Sequence, residues 1–480
     1  MDGSQCGTVE SYQQDDGQRP AALTGVFERY QEALTEQRLG PILDGQSAFS
    51  REGPLSAWVV IWLMISQRLH PVGTLSVAVR ELQCGPVRGF VRWREGVAAR
   101  ELSVNTSAYS QARSRLPLEV TQKVSDVIFE SLLEEPKILP GLERPMFLLD
   151  GTTLLLPHSE DLERAYPPPR NQHGASHWST VRVLVAHEVV SGLAVRPCWG
   201  PVNGPKAVSE QGMAKEMMLR FPAHSVALAD RNFGVFSMAY HARQNGHDCL
   251  FRLTAARAKK LHGGVLPAAG TDKRIVWTCS RFDRDGNPEL PQQASVEGRL
   301  IAVKLFDSAG KKQKLYFFTS LEVASEQILE LYGYRWNIET DLRSLKREVR
   351  LHMLTAKSKD MVEKELVLAV AAYNLTRSAI NQAATLLNVS PRQFSFSMAR
   401  DTIEAFLPRF AAARSEEERQ QVGEHMLRVL SQSMLPHRRK RRPSTPREVW
   451  PRPCAFPKRK ISKKRRTAIK VRITKGAKVA

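Results

Sequence analysis

The sequence has no apolar run long enough to cross a bilayer. Its longest apolar stretch, Leu55 to Ile65, has 11 residues, whereas a membrane-spanning helix needs about 20. The first residues lack the basic segment and apolar core of a signal peptide. The six cysteines are scattered without C-x-x-C spacing, which argues against a zinc knuckle or a redox motif. We therefore expect a cytoplasmic protein that does not contact a membrane.

Acidic residues are nearly missing from the C-terminal segment 437–480, which contains 18 Lys and Arg but only Glu448 as an acid. This segment carries +17 of the formal net charge of +21, and the other 436 residues carry +4. A basic run of this kind is disordered unless bound and suits polyanions, so nucleic acid is the predicted partner. The alternative is a solvated tail without a specific task.

The rest of the chain has the composition of a globular protein, since 42% of the residues are hydrophobic and 25% are charged. At about 100–200 residues per domain, the length predicts two to four domains. Helical patterns dominate up to about Leu133, and apolar runs of strand length begin after Pro145. From there the predicted order of strands and helices indicates an α/β fold, with β segments over 257–320 and a long helix over 323–350.

Two acids occupy the same predicted setting at the ends of apolar strands. Asp150 follows a run that ends at Leu149 and precedes Gly151–Thr153, which we predict as a turn. Asp230 follows the run Val226–Ala229. Ligand sites gather at strand ends in α/β sheets, which makes both acids candidates for a functional site. Asp is also common in turns for conformational reasons, so either acid alone is weak evidence.

Four polar residues share one predicted helix face in the segment 331–350. They are Tyr332, Arg335, Glu339 and Lys346. At about 100° per residue they fall within an arc of roughly 60°, beside an apolar stripe that would dock the helix. The face combines a hydroxyl, a guanidinium, a carboxylate and an ammonium group. An amphipathic helix with a solvated charged face is the alternative interpretation.

The same four residues match a Tyr-x2-Arg-x3-Glu-x6-Lys signature in type and spacing. In addition, Phe147–Thr152 resembles a first-Asp motif, and Leu228–Phe233 resembles a second motif, Asp-Arg-x-Phe. In these three segments the chain resembles the DDE transposases of bacterial insertion sequences, family four. The resemblance covers about residues 145–385, is weaker over 50–120 and does not extend to the basic segment.

The resemblance implies an α/β fold with a ribonuclease-H-like catalytic core and a β-rich insertion, flanked by a helical N-terminal domain and C-terminal helices. It also implies that two protomers bridge two ends of double-stranded DNA. The expected regions are a disordered N-terminus (1–20), a helical DNA-binding domain (21–135), the core (145–256 and 321–352), the β-rich insertion (257–320), a C-terminal helical region (353–432) and a disordered basic tail (437–480).

The chemistry that the resemblance implies suits the residues that carry it. Phosphodiester cleavage and transfer need an activated oxygen nucleophile and a stabilised leaving oxygen, which two hard cations can supply. Carboxylates are the ligands that such cations prefer. Asp150, Asp230 and Glu339 are therefore the predicted catalytic residues and metal ligands. The predicted cofactor is a pair of Mg²⁺ ions, for which Mn²⁺ can substitute.

Further side chains are expected to contact the DNA. Tyr332, Arg335 and Lys346 would hold phosphates beside the cations. Arg231, which directly follows the second acid, is a secondary candidate for a phosphate contact, and an ordinary surface Arg is the alternative. Trp277 could stack on a flipped base, as an insertion Trp does in relatives that form a DNA hairpin. A Trp in the core of a β-strand is the alternative there.

We therefore predict a nucleoid-associated transposase that binds the terminal inverted repeats of its element. It would cleave the strand with a divalent cation and join the freed 3′-OH to a second strand. Two alternatives stay open. A metal-dependent nuclease on the same core would cleave without joining, and a non-catalytic or domesticated DNA-binding protein would not cleave.

Overall fold

The computed structural model describes most of the chain between residues 36 and 435. The described residues are 36–43, 55–84, 104–133, 138–139, 141–171, 174–175, 178–306 and 312–435. The predicted disordered N-terminus (1–20) and the predicted basic tail (437–480) lie outside them. Within the described residues, no helix is long and apolar enough to cross a membrane.

Eight strands of the described chain form one mixed sheet. They are β1 (Met146–Leu155), β4 (Thr180–Glu188), β5 (Cys198–Pro201), β6 (Val226–Ala229), β7 (Asp248–Leu253), β8 (Asp272–Thr278), β9 (Ser295–Phe306) and β10 (Lys312–Thr319). A separate two-stranded ribbon consists of β2 (Arg170–Asn171) and β3 (Gly174–Ala175). The spatial order of the large sheet is β5-β4-β1-β6-β7-β10-β9-β8. Strand β6 runs parallel to β1 and β7, and the other neighbouring pairs are antiparallel.

The strands at the middle of this sheet are buried on both faces. Every residue of β6 and the first four residues of β1 are buried. On one face Phe147 packs in a hydrophobic cluster with Ala227, and on the other face Leu148 packs in a second cluster with Leu228. Burial on both faces explains why these segments read as continuous apolar runs rather than as alternating patterns.

Two predictions about strand boundaries are wrong. The predicted turn Gly151–Thr153 lies within β1, where Asp150 pairs with Val185 of β4 and the pairing continues to the end of the strand. The β-branched threonines suit a strand once a partner strand is present. The predicted strand Leu193–Pro197 contains only an isolated bridge at Ala194, and Pro cannot donate to a strand ladder.

The predicted β-rich insertion extends the same sheet. Strand β10 pairs with β7, β9 with β10, and β8 with β9, so β8 forms one edge. This part of the chain also contains two short helices that the sequence patterns do not predict, α9 (Ala255–Leu261) and α10 (Arg281–Gly286). Thr254 and Ser280 cap them, since each hydroxyl accepts a hydrogen bond from the backbone N–H three residues later.

Helices from the two ends of the described chain pack together. Before α9 they are α1 (Glu36–Leu43), α2 (Ala57–Leu69), α3 (Leu75–Cys84), α4 (Ser107–Arg115), α5 (Leu118–Leu132), α6 (Glu160–Ala165), α7 (Glu210–Met218) and α8 (Phe236–Gln244). After α10 they are α11 (Ser325–Gly333), α12 (Asn337–Arg343), α13 (Lys359–Leu386), α14 (Phe396–Ala412) and α15 (Glu416–Ser431). One hydrophobic cluster includes Trp62 of α2, Tyr373 of α13 and Phe410 of α14. The N-terminal and C-terminal helices therefore share a core.

The segment that we predict as one helix over 323–350 is helical but not uniform. A 3-10 turn (Tyr334–Trp336) joins α11 to α12, and a π turn (Ser344–Glu348) follows α12. A 3-10 turn is wound more tightly than an α-helix and a π turn less tightly. The helix face calculated at 100° per residue is therefore not valid to the end of the segment. This affects Lys346, which lies in the π turn. We call Ser325–Glu348 the signature helix.

Candidate active site

Asp150 and Asp230 lie at matched positions where two parallel strands part. In the register between β1 and β6, Leu149 is paired with Ala229, so each aspartate is the next residue along the chain. Strand β6 ends there, whereas β1 continues along β4. The two acids are therefore neighbours in the sheet, and the prediction that each ends a strand holds for Asp230 but not for Asp150, which lies inside β1.

The signature helix packs on the face of the sheet to which both aspartates belong. Leu148 and Leu228 each lie two residues before one of the aspartates, and alternate residues of a strand share a face. Both leucines belong to the hydrophobic cluster that contains Ile338 of α12. Glu339 directly follows Ile338 on α12, so the third predicted acid belongs to the helix that packs on this face of the sheet.

Burial raises the pKa of the Asp150 carboxyl to about 6. The backbone N–H of Gly151 donates a hydrogen bond of 2.8 Å to Oδ1 of Asp150 and acts in the opposite direction. The neighbouring carboxylates of Asp230 and Glu210 add to the rise, and Arg335 lowers this pKa. A partly buried carboxyl beside other acids has the surroundings expected of a functional group rather than of a surface Asp.

Glu210 is a fourth acid at this site, and the sequence interpretation missed it. Its Oε2 accepts a hydrogen bond of 2.7 Å from Nδ2 of Asn232, whose backbone N–H donates to Oδ1 of Asp230 at 2.8 Å. A Cβ at position 151 would overlap with the Glu210 carboxylate, so Gly151 permits its approach to β1. Glu is common in the first turn of a helix, so its position in the sequence carries no distinguishing signal.

Arg335 and Glu339 are brought together on the signature helix. Nη2 of Arg335 lies 3.3 Å from Oε1 of Glu339, and the guanidinium lies 4.9 Å from the centre of the Trp336 ring. The side chain of Glu339 is 50% exposed. Arg335 also lowers the pKa of Asp150, and its side chain is only 18% exposed, so it is not part of a solvated charged face.

Tyr332 is on the buried side of the signature helix. Its ring packs against Phe317 with the ring centres 4.7 Å apart. Burial raises the pKa of its hydroxyl, whereas Arg335 and Arg252 act to lower it. The hydroxyl is buried beside the side chain of Arg252. Lys346 is half-buried in the π turn.

The two remaining predicted DNA contacts differ in exposure. Arg231 is exposed directly after Asp230. Trp277 of β8 is only 8% exposed. Its ring lies edge-to-face against Phe236 and Phe318, with ring centres 5.9 and 4.9 Å away. This packing favours the interpretation of Trp277 as a core residue.

Asp150, Asp230 and Glu339 are chemically suited to bind a divalent cation, but the three carboxylates are not arranged around one point in this structure. Among the residues that the structure describes, no three His, Cys, Asp or Glu side chains lie close enough together to hold a metal ion. Asp150 and Asp230 offer adjacent carboxylates, which are the ligands that Mg²⁺ and Mn²⁺ prefer. Glu339 is paired with Arg335 instead. The aspartate pair therefore fits such a cation, and Glu339 has to approach it to complete the predicted set.

Comparison with known proteins finds a family model and a relative that match this part of the chain. Residues 141–375, which contain all three predicted acids and the signature helix, match the family model described as the transposase DDE domain. The Transposase InsG for insertion sequence element IS4 of Escherichia coli (strain K12) is 23% identical over 371 residues, which cover 74% of this chain and 78% of InsG.

A solved structure also matches much of the chain. It is the cryo-EM structure of a piggyBac transposase synaptic complex with hairpin DNA, which has 10% identity and a TM-score of 0.43. The match covers 85% of this chain and 86% of that chain. The family assignment depends instead on the family model and on the relative from the insertion sequence. By these two matches, the chain contains a transposase DDE domain over residues 141–375 and is similar to a transposase of the insertion sequence element IS4.

Proposed function

We propose that the chain cuts and joins DNA at the ends of its insertion sequence, with Asp150, Asp230 and Glu339 as the catalytic acids. The observation that carries this proposal is the matched placement of the two aspartates on parallel strands, beneath the helix that contains Glu339. The match to the transposase DDE domain supports this reaction class.

The strands β5-β4-β1-β6-β7 are the proposed ribonuclease-H-like core. The support for this is their arrangement, in which an antiparallel set of three strands is followed by two strands parallel to β1. Helices α7 and α8 lie in the connections that lead to β6 and β7. Strands β8 to β10 are then the insertion, because they lie between the second Asp and the Glu along the chain.

Mg²⁺ is the proposed cofactor, with Mn²⁺ as a substitute and two ions held by the three acids. When bound, these cations supply Lewis-acid stabilisation of the charge that develops on the phosphoryl and leaving oxygens. The pairing of Glu339 with Arg335 opposes this arrangement only weakly. Glu339 is half exposed, and exposed ion pairs contribute about 0–1 kcal/mol. Little free energy is therefore needed for Glu339 to leave Arg335 and bind a cation.

The signature residues are the proposed phosphate contacts. Arg335 and Lys346 can each donate to a phosphate oxygen. The buried Tyr332 hydroxyl interacts with the guanidinium groups of Arg335 and Arg252, and two cations beside a hydroxyl donor are suitable surroundings for a phosphate. Arg231 is exposed beside the second Asp and is a further phosphate contact in this proposal. Trp277 is omitted from the proposed DNA contacts because its ring is packed in the core.

The proposed reaction has two steps. First, a water oxygen attacks the phosphorus, the bond to the 3′ oxygen breaks, and a 3′-OH is released at the end of the element. Second, this 3′-OH loses its proton and attacks a phosphodiester of another strand, which releases a 3′ oxygen of that strand. The proposed partners are the terminal inverted repeats, the target duplex and a second copy of the chain that bridges the two ends. Binding to chromosomal DNA would place the protein on the nucleoid.

A strand-transfer assay tests the proposal. End-labelled DNA from the flanks of the coding region and an unlabelled target plasmid are incubated with the full chain and Mg²⁺, Mn²⁺ or EDTA. We expect cleaved and joined products with either metal and none with EDTA. Alanine at Asp150, Asp230 or Glu339 should abolish both products while end binding is retained. Cleavage without joining would indicate a nuclease, and substantial metal-dependent cleavage by Glu339→Ala would refute the assignment of the third acid.

A further inference from the structure

Asp341 lies two residues after Glu339 and is completely buried. Its Oδ1 accepts hydrogen bonds from Nη2 of Arg377 at 2.5 Å, from Nη1 of Arg392 at 2.6 Å and from the Tyr373 hydroxyl at 3.2 Å. Two guanidinium groups and a hydroxyl therefore surround this carboxyl and form a polar centre inside the protein, on the same short helix as Glu339.

Arg392 connects this centre to the sheet that carries the aspartates. Its Nε and Nη2 donate hydrogen bonds of 3.1 and 2.8 Å to the carbonyl oxygen of Val189, which directly follows β4. Strand β4 pairs along its length with β1, including the pair Asp150 and Val185. A chain of direct contacts thus leads from α12, through Asp341 and Arg392, to the strand beside Asp150.

Arg377 fixes the same centre from α13. Its Nε donates a hydrogen bond of 2.9 Å to the Tyr373 hydroxyl, and its guanidinium lies 5.3 Å from the centre of the Phe396 ring. It also lies against Gly192, which has φ +73°, and a Cβ at that position would be 3.0 Å from Nε. The guanidinium is therefore enclosed by a helix, an aromatic ring and the turn that follows β4.

We propose that Asp341, Arg377 and Arg392 are positioning residues that hold α12 where Glu339 can reach Asp150 and Asp230. Buried ion pairs contribute little net stability compared with well-packed apolar residues, because desolvation offsets the attraction. Their directional contacts do define one placement of the helix. The inference rests on the proposed function, since it concerns the geometry of the three acids in the DNA reaction.

The chain offers a matched control for this cluster. Glu365 is another buried acid between two arginines, with Oε2 2.5 Å from Arg68 and Oε1 3.6 Å from Arg113. This second cluster joins α13 to α2 and α4, and Arg68 also donates a hydrogen bond to the carbonyl oxygen of Arg350, two residues after the signature helix. Each of the variants Asp341→Asn and Glu365→Gln removes the negative charge between two buried arginines. Both should therefore destabilise the fold, because each leaves two buried positive charges without a counter-charge.

The test compares Asp341→Asn with Glu365→Gln in the full chain. Melting temperature, affinity for end DNA, single-turnover cleavage at saturating DNA and calorimetric Mn²⁺ binding are measured at a temperature where both variants are folded. We expect Asp341→Asn to lower the cleavage rate and the Mn²⁺ affinity by about 10- to 100-fold, with DNA affinity within about twofold. Glu365→Gln should leave cleavage and Mn²⁺ affinity unchanged despite a similar loss of melting temperature.

A second variant covers the case in which Asp341→Asn does not fold. Arg392→Met removes the contact with Val189 and leaves the pair between Asp341 and Arg377 in place. It should also lower cleavage and Mn²⁺ affinity selectively. Cleavage that falls only in proportion to thermal stability, or equally in Glu365→Gln, would overturn the inference. Absence of metal-dependent cleavage by the unaltered chain would instead refute the proposed function.

Discussion

Arg335 and Glu339 form an ion pair across one turn of the signature helix, with Nη2 of Arg335 3.3 Å from Oε1 of Glu339. The same guanidinium lowers the pKa of Asp150. One cation thus acts on two of the three proposed catalytic acids. In the proposed reaction it also has to hold a phosphate, so its removal should affect DNA binding and the acids together.

Replacement of Arg335 by Gln should weaken binding of end DNA by about 10-fold, because a hydrogen bond to a charged group is worth about 1.5–3 kcal/mol. The slope of log affinity against log salt concentration should become shallower by about one. Fluorescence anisotropy over a salt series measures both quantities. Arg347→Gln, at an exposed position of the π turn, is the control. Equal losses in the two variants would argue against a specific phosphate contact by Arg335.

Replacement of Asp150 by Asn should stabilise the fold at high pH while it abolishes cleavage. The folded-state pKa of Asp150 is raised from 3.8 to about 6, so the carboxylate is unfavourable in the folded state above pH 6. At pH 8 the free energy of unfolding of the variant should therefore be higher than that of the unaltered chain by up to about 3 kcal/mol. The gain should shrink as the pH falls through 6 and disappear below the unfolded-state pKa.

Chemical denaturation in EDTA at pH 4, 6 and 8 measures this pH dependence. Asp285→Asn, at an exposed position of α10, serves as the control and should show no such trend. A variant of Asp150 that is less stable than the unaltered chain at pH 8 would contradict the expected direction.

Replacement of Trp277 by Ala should lower the free energy of unfolding by about 3–5 kcal/mol, because a large buried ring is lost from the core. Trp277→Leu retains apolar packing without an aromatic face and should cost less. Distortion of the DNA end by this Leu variant, followed with 2-aminopurine fluorescence, should equal that of the unaltered chain. A stable Leu variant that loses this distortion would indicate base stacking by Trp277. Trp336→Ala is the stability control, since Trp336 is 65% exposed.

Deletion of residues 437–480 should weaken DNA binding and reduce its salt dependence, because the segment carries +17 of the net charge. Metal-dependent cleavage at saturating DNA should remain, since all three proposed catalytic acids precede the deletion. Anisotropy over a salt series and a cleavage assay with saturating DNA distinguish the two effects. Loss of cleavage under saturation would show that the segment takes part in catalysis.

The sequence predicts the elements of this fold better than their boundaries. Apolar runs locate the buried strands because burial on both faces leaves a continuous signal. Gly151 and the two threonines after it resemble a turn, and only the partner strand β4 makes them part of β1. Pairing between distant segments is not visible in local composition, so the length of β1 could not be predicted.

Local motifs also determine which site residues the sequence suggests. Asp150, Asp230 and Glu339 are suggested as the catalytic acids because each lies in a distinctive local motif. Glu210 is not, since its relation to the site depends on the contact across Gly151 and on the bond from Asn232. The position of Lys346 depends on a π turn that the period of the sequence does not disclose.

The join between β7 and β10 has a consequence for how this protein can be shortened or recombined with relatives. Residues 257–320 look like a detachable module in the sequence, but three of their strands complete a sheet whose neighbour β7 is buried. Excision would leave the unpaired backbone of β7 as an open edge, which promotes aggregation. Exchange of this region between transposases therefore requires compatible hydrogen-bond register and side-chain packing along β7.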